Sequence, residues 1–292
     1  MKRRLSFIVF VILTIRLYGL DFGYNFVKLP KSPYESIFGY GLVSFEDDAF
    51  ASINNPAVVP SVRYAFSGTS YLADVKYGTL AGQFREMTIG LMFINSGEMA
   101  KFDENGMNLG SFSANFIDLK VGKSVFSQKG IKFGASIGLL YQGIDGDAAV
   151  ALAADIGAQY RPLGGLTVGA ALRNLGFEVK SFGNDKFLPP ILLDLGATYK
   201  VSSGFLVSGG LEFCADYPIA VSLGTKFSLM RYLDLAVGFN SKGKDWRMGK
   251  EKDILAGLNF GFSVHVSKFD LSYSFTPMGS IGNIHRIAVA MR

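Results

Sequence analysis

Between Phe269 and Phe275 the chain alternates without a break: Phe269, Leu271, Tyr273 and Phe275 are apolar, while Asp270, Ser272 and Ser274 are polar. A period of two places each set on one face of a β-strand. The alternation recurs in segments of roughly ten residues, the length a tilted strand needs to cross a bilayer. Their approximate spans are 61–71, 73–85, 87–95, 111–126, 130–143, 147–161, 165–174, 190–201, 204–214, 217–229, 231–240, 252–266, 267–276 and 283–292. About fourteen strands, an even number, predicts an all-β fold: a closed antiparallel transmembrane barrel, apolar outside and wet or filled within.

The connections carry the same message. After even strands they are short, as at Ser127–Gly130, Arg161–Gly164, Val201–Gly204 and Met230-Arg231, whereas the long ones, 96–110, 175–189 and 241–251, follow odd strands. Outer-membrane barrels have short periplasmic turns and longer external loops, so both ends of the barrel are predicted to lie in the periplasm.

Side-chain period also assigns the faces. At 190–201, Ile191, Leu193, Leu195, Ala197 and Tyr199 should meet lipid, with Asp194, Gly196, Thr198 and Lys200 facing in. At 252–266, Ala256, Leu258, Phe260, Phe262 and Val264 point out, and Gly257, Asn259, Gly261, Ser263 and His265 point in. The rule turns Asp118, Lys120, Lys132, Asp155, Arg173, Glu212, Lys226, Asp234, Asp270 and Arg286 toward the lumen as well. Charges of both signs fit structural ion pairs better than a purely aqueous pore.

One segment departs from strand alternation. From Glu35 to Pro60 there is none, and Phe45–Asn54 reads as a short helix with an acidic first turn, ended by Asn55-Pro56. A helix beside a barrel can bury an apolar face only in the lumen, which predicts a hatch. Asp47, Asp48, Ala49, Asn54, Asn55 and Pro56 are its candidate gate residues.

Composition sets the compartment. Lys2, Arg3 and Arg4 precede an apolar run from Leu5 to Ile15, the pattern of a signal peptide, with cleavage expected after residue 19. Residues 20–60 then form a periplasmic hatch segment and 61–292 the barrel. Beyond the signal no apolar run reaches the roughly 18 residues of a membrane helix. Removing Lys2, Arg3, Arg4 and Arg16 turns a net charge of +5 into 25 basic against 24 acidic residues, so no nucleic-acid partner is expected. The single Cys214 excludes an internal disulfide framework, and no cofactor or metal is expected.

Two stretches resemble a known family. Gly41–Ala51, containing Asp47-Asp48-Ala49, and then Asn55-Pro56-Ala57 resemble the N-terminal signature of the PorV/PorQ family, relatives of the FadL-type outer-membrane transporters. Phe275–Gly279 and Gly282–Arg286 resemble that family's last hairpin. The resemblance implies a barrel with an N-terminal hatch and one of two roles. FadL-type barrels pass hydrophobic small molecules across the outer membrane passively, and PorV-type barrels receive secreted or surface proteins at the cell surface.

An enzyme is the competing class. Gly134-Ala135-Ser136-Ile137-Gly138 matches G-x-S-x-G but lies mid-strand, where no nucleophile elbow forms. His265 and His285 fall at opposite rims, too far apart for a shared site. Asp103–Gly106 and Asp145–Asp147 read as turns, and the basic loop around Trp246 as a solvated one. The sequence therefore predicts a non-enzymatic barrel in the lipid bilayer of the outer membrane, passing small apolar molecules. The alternative is a barrel that docks secreted or surface-layer proteins.

Overall fold

The computed structural model describes residues 22–292, so the expected signal peptide lies outside the described residues. Fourteen strands close into one antiparallel barrel. They are β1 (Tyr64–Ser70), β2 (Lys76–Phe84), β3 (Met87–Asn95), β6 (Ala114–Gln128), β7 (Ile131–Ile144), β8 (Asp147–Leu163), β9 (Leu166–Lys180), β10 (Leu192–Ser202), β11 (Phe205–Cys214), β12 (Ala220–Met230), β13 (Leu233–Asn240), β14 (Leu258–Val266), β15 (Phe269–Pro277) and β16 (Asn283–Met291). β4 (Met99–Phe102) and β5 (Asn108–Phe112) form a separate hairpin within the β3–β6 connection. β1 closes on β16 from Tyr64↔Met291 to Ser70↔His285, so the barrel sheet is closed on itself.

Every connection on one rim is a two-residue turn. Lys129-Gly130 has positive φ at both residues, the left-handed geometry that suits a tight hairpin. The opposite rim carries the long connections, including 96–113, 181–191 and 241–257. Outward positions hold large apolar residues such as Phe66, Leu80, Ile89 and Phe93, each about half exposed. Inward Asp194, Thr198, Asn259 and Ser263 are buried.

Three boundaries differ from the sequence reading by more than three residues, each because a polar side chain satisfies backbone or lumen groups. β9 runs on to Lys180 rather than ending at 174, because a bulge opposite Asp155 turns both Arg173 and Asn174 inward and hides the period. β14 begins at Leu258, since the Asp253 carboxylate accepts from the amides of Met248, Lys250 and Ser280 and folds the preceding residues into a turn. Ala256 is accordingly buried in the loop rather than lipid-facing. The helix expected over Phe45–Asn54 is one turn, Ala51–Asn54, because Glu46 and Asp47 reach wall cations instead of capping it.

The core of the molecule is the lumen itself. Residues 22–63 run through it from the long-connection rim, where Phe22 bridges Leu188, to the short-turn rim, where Arg63 leads into β1. A second helix, Pro33–Phe38, sits midway, its Ser32 hydroxyl accepting from the Glu35 amide at 3.0 Å. Phe38, Phe45 and Phe50 are buried among wall residues including Leu206, Ala236 and Ala288.

Candidate functional site: a plugged lumen

Glycine decides how close the plug comes to the wall. Seven consecutive strands, β7 to β13, each turn a glycine inward: Gly134, Gly157, Gly169, Gly196, Gly210, Gly224 and Gly238. Several are register neighbours, Gly134 beside Gly157, Gly169 and Gly210 either side of Gly196, and Gly224 beside Gly238. A Cβ at Gly134, Gly169, Gly210 or Gly238 would lie within 3.0 Å of plug backbone, at Pro56, Val43, Gly41 and Ile37 respectively. Wall and plug therefore meet backbone to backbone, a contact that only glycine permits.

Polar groups then fix the plug in register. Asn55 donates from Nδ2 to Val43 O at 2.7 Å and to Ala158 O of the wall at 3.1 Å, while its Oδ1 accepts from the Ala57 amide. Pro56 follows over Gly134. Asn54 accepts from Arg173 Nη1 at 3.1 Å, and Ala49 packs with Phe50, Ile53 and wall Ala65. Asp48 is buried, its carboxylate accepting from Ser32 Oγ at 2.5 Å and from the Phe50 amide. With no cation beside it, burial pushes the Asp48 carboxyl up to about 7. Asp47 is half exposed at the short-turn rim, 3.5 Å from Lys200 and 3.9 Å from Lys226. Glu46 pairs there with Lys132 at 3.0 Å and with Arg161.

The inward charges of the wall fall into groups. Arg173 Nη2 lies 2.6 Å from Asp194 and 3.2 Å from Glu212, and Lys242 reaches Glu212 at 2.9 Å from the β13–β14 connection. Lys120 pairs with Asp155 at 2.7 Å and donates to Asn174. Lys226 pairs with Asp234, which with Asp270 brackets His265. Arg286 is buried without a carboxylate. It donates to Thr69 of β1, to Tyr77 of β2 and to Ser36 of the plug, so it staples plug to wall. Asp118 is buried with neither oxygen hydrogen-bonded. Near it lies Lys31, whose Nζ donates to Val27 O; burial pulls that ammonium below its ordinary value, against the pull of Glu35 and Asp118.

Some of these groups had no place in the sequence reading. Ser32-Pro33-Tyr34-Glu35 is a helix-start signature, proline at the first helical position after a capping serine, and would have located the Pro33–Phe38 helix. Lys242 is not a solvated loop residue, since its ammonium lies 3.9 Å from the Tyr217 ring centroid as well as on Glu212. Ser136 of the G-x-S-x-G string donates to Asp155 at 2.9 Å, and Gly134 of the same string makes room for Pro56.

Between the plug and the long-connection rim a cavity of about 170 Å³ remains. Leu29, Leu42, Val43, Tyr71, Trp246, Met278 and Ile284 give it apolar walls, and Arg173, Glu212 and Arg286 stand at its polar side. The wall beside it is uneven. β9 pairs with β10 only as far as Arg173↔Leu192, so Asn174–Lys180 has β8 on one edge and the Phe187–Pro190 segment on the other. Prolines 189 and 190 have no N–H for a ladder, and the contact is made instead by side chains, Asn174 Nδ2 to Pro190 O at 3.2 Å and the Phe187 amide to Glu178 at 3.0 Å. Gly209-Gly210, by contrast, continues the β10–β11 register unbroken.

In fold the chain is similar to FadL-type barrels. The Pseudomonas putida toluene transporter TodX aligns over 93% of this chain and 98% of its own, at 14% identity and a TM-score of 0.57. The monoaromatic hydrocarbon channel CymD aligns over 90% and 97%, at 11% identity and a TM-score of 0.54. A Pseudomonas aeruginosa FadL homologue aligns over 87% and 96%, at 10% identity and a TM-score of 0.52. Two of these neighbours, TodX and CymD, are a transporter and a channel. No protein-family model and no curated protein matches the sequence.

Proposed function

We propose that the protein is an outer-membrane conduit for small, mainly apolar molecules, with residues 1–19 removed as a signal peptide, 20–60 as the N-terminal periplasmic hatch segment and 61–292 forming the barrel. The observation that carries this reading is the cavity at the long-connection rim, apolar on one side and charged on the other, bounded below by a plug that rests on glycine. A molecule entering from the loops would lodge against Leu29, Leu42 and Ile284. Passage then requires the Asp47–Pro56 segment to move, or the Asn174–Lys180 seam of the wall to part toward lipid, a route in which an apolar solute never meets bulk water. The fold shared with toluene and monoaromatic channels supports an apolar cargo. Asp48 and Asn55, from the two steps that resemble the PorV/PorQ signature, hold the plug in shape, which supports that affinity at the level of architecture.

The gate is tested by locking it. Ser44 Oγ and Thr198 Oγ1 are 2.8 Å apart across the plug–wall boundary, so Ser44→Cys with Thr198→Cys, in a Cys214→Ser background, should form a disulfide. Oxidised cells are expected to stop accumulating radiolabelled toluene, and reduction to restore accumulation. Uptake that ignores the lock would refute a moving plug.

A further inference from the structure

The lipid-facing coat of large apolar side chains has a dent on β16, β1, β2 and β3. Gly68 and Gly78 face outward side by side, with Ile287 beyond Gly68 and Phe93 beyond Gly78 in the same register row. The resulting groove measures about 670 Å³ and is also lined by Phe66 and Tyr273. Unlike the inward glycines, neither meets plug backbone, and only at Gly78 would a Cβ crowd a neighbour, the Phe66 ring at 3.3 Å. A Cβ at Gly68 would meet nothing closer than the Phe66 ring at 3.8 Å, an ordinary contact, and neither residue has positive φ.

Directly beyond the dent, toward the long-connection rim, one register row carries His285, Ser70, Lys76 and Asn95 on adjacent strands. His285, Ser70 and Lys76 are exposed. The Tyr273 hydroxyl and His285 Nδ1 are 2.7 Å apart. With Nδ1 accepting that hydroxyl, Nε2 carries the ring proton and is left as an outward donor. Among the described residues no carboxylate lies within ion-pair distance of Lys76, including Asp74 two residues away. An apolar trough capped by an unpaired ammonium, an imidazole N–H and a hydroxyl is complementary to a chain ending in an anionic phosphate.

We propose that this face binds an anionic glycerophospholipid, one acyl chain lying across Gly68 and Gly78 between Ile287 and Phe93, its phosphate held by Lys76, His285 and Ser70. The site rests on the membrane reading of the barrel but not on transport. Behind the same wall, Thr69 and Tyr77 hold Arg286, the staple of the plug, so a seated lipid would brace the strands that carry it.

Native mass spectrometry of the delipidated protein in detergent tests this directly. Wild type is expected to retain one added phosphatidylglycerol under activation that strips phosphatidylcholine. Lys76→Gln should lower the retained fraction about fivefold, the effect of one lysine at a lipid surface, and Gly68→Leu should abolish it by filling the trough. Heat-modifiable gel mobility verifies that each variant is a folded barrel, and Lys76→Gln, at an exposed position, carries the test if Gly68→Leu fails that control. Equal retention of the two lipids, phosphatidylglycerol binding untouched by Lys76→Gln, or a preference for lipid A would each overturn the assignment. Toluene uptake is a separate readout, so loss of the lipid site and loss of the conduit are distinguishable.

Discussion

At the scale of single residues, the inward glycines and Asp48 carry the sharpest expectations. Gly238 sits against the Ile37 carbonyl, and Gly210 against the backbone of Tyr40 and Gly41. Gly238→Val or Gly210→Val cannot be absorbed by a flexible neighbour, so the plug must lift from the wall while the barrel closes as before. Planar-bilayer recordings should show openings far more frequent and longer than the rare flickers of wild type. Asp48 sets a pH dependence. Its docked value lies above the ordinary carboxylate value, so docking is most stable with the acid protonated, fully so below the ordinary carboxylate range. That stability is lost as pH rises through about 7. Openings should become more frequent as pH rises from the ordinary carboxylate range toward about 7, by up to about tenfold per pH unit, and level off above it, and Asp48→Asn should flatten the profile.

At the scale of elements, the plug is held at its two ends by different chemistry. The long-connection end is anchored by Tyr24, whose hydroxyl donates to Glu178 at 2.8 Å, and Arg286 holds the middle at Ser36. The short-turn end is held by Glu46 and Asp47 among Lys132, Arg161, Lys200 and Lys226. Partly solvated pairs of this kind contribute on the order of 1 kcal/mol each and are screened by salt. Glu46→Gln with Asp47→Asn should therefore raise the opening frequency at low ionic strength and leave little difference near 1 M salt, where the screening length is about 3 Å. Strand pattern was legible wherever period two held. It failed at β9, where the bulge at Asn174 puts two polar residues inward in succession, and in the plug, where the Pro33–Phe38 helix has only six residues.

At the scale of the whole molecule, lumen and core are the same space. Fourteen strands enclose a volume that the chain fills with its own N-terminal segment, so the wild-type barrel is expected to be electrically silent in a planar bilayer, with at most rare flickers. Removing Phe22–Pro60 should leave a barrel whose inward wall, from Asp118 through Arg173 to Asp234, is wetted and conducts steadily. A large steady current from the intact, inserted protein would overturn the plugged reading.

Period-two alternation and the parity of turn lengths determined the closed fourteen-strand barrel, its inside and outside, and the rim that carries the long connections, because lipid on one face constrains every second residue along each strand. The same alternation turned Lys120, Asp155, Arg173 and Glu212 inward. It could not say that Arg173 reaches Asn54 of the plug, or that Arg286 takes three neutral partners instead of an acid. Those choices depend on how a segment with no period of its own lies across seven glycine-bearing strands far apart in sequence. Only the closed tertiary structure brings these surfaces within hydrogen-bonding distance.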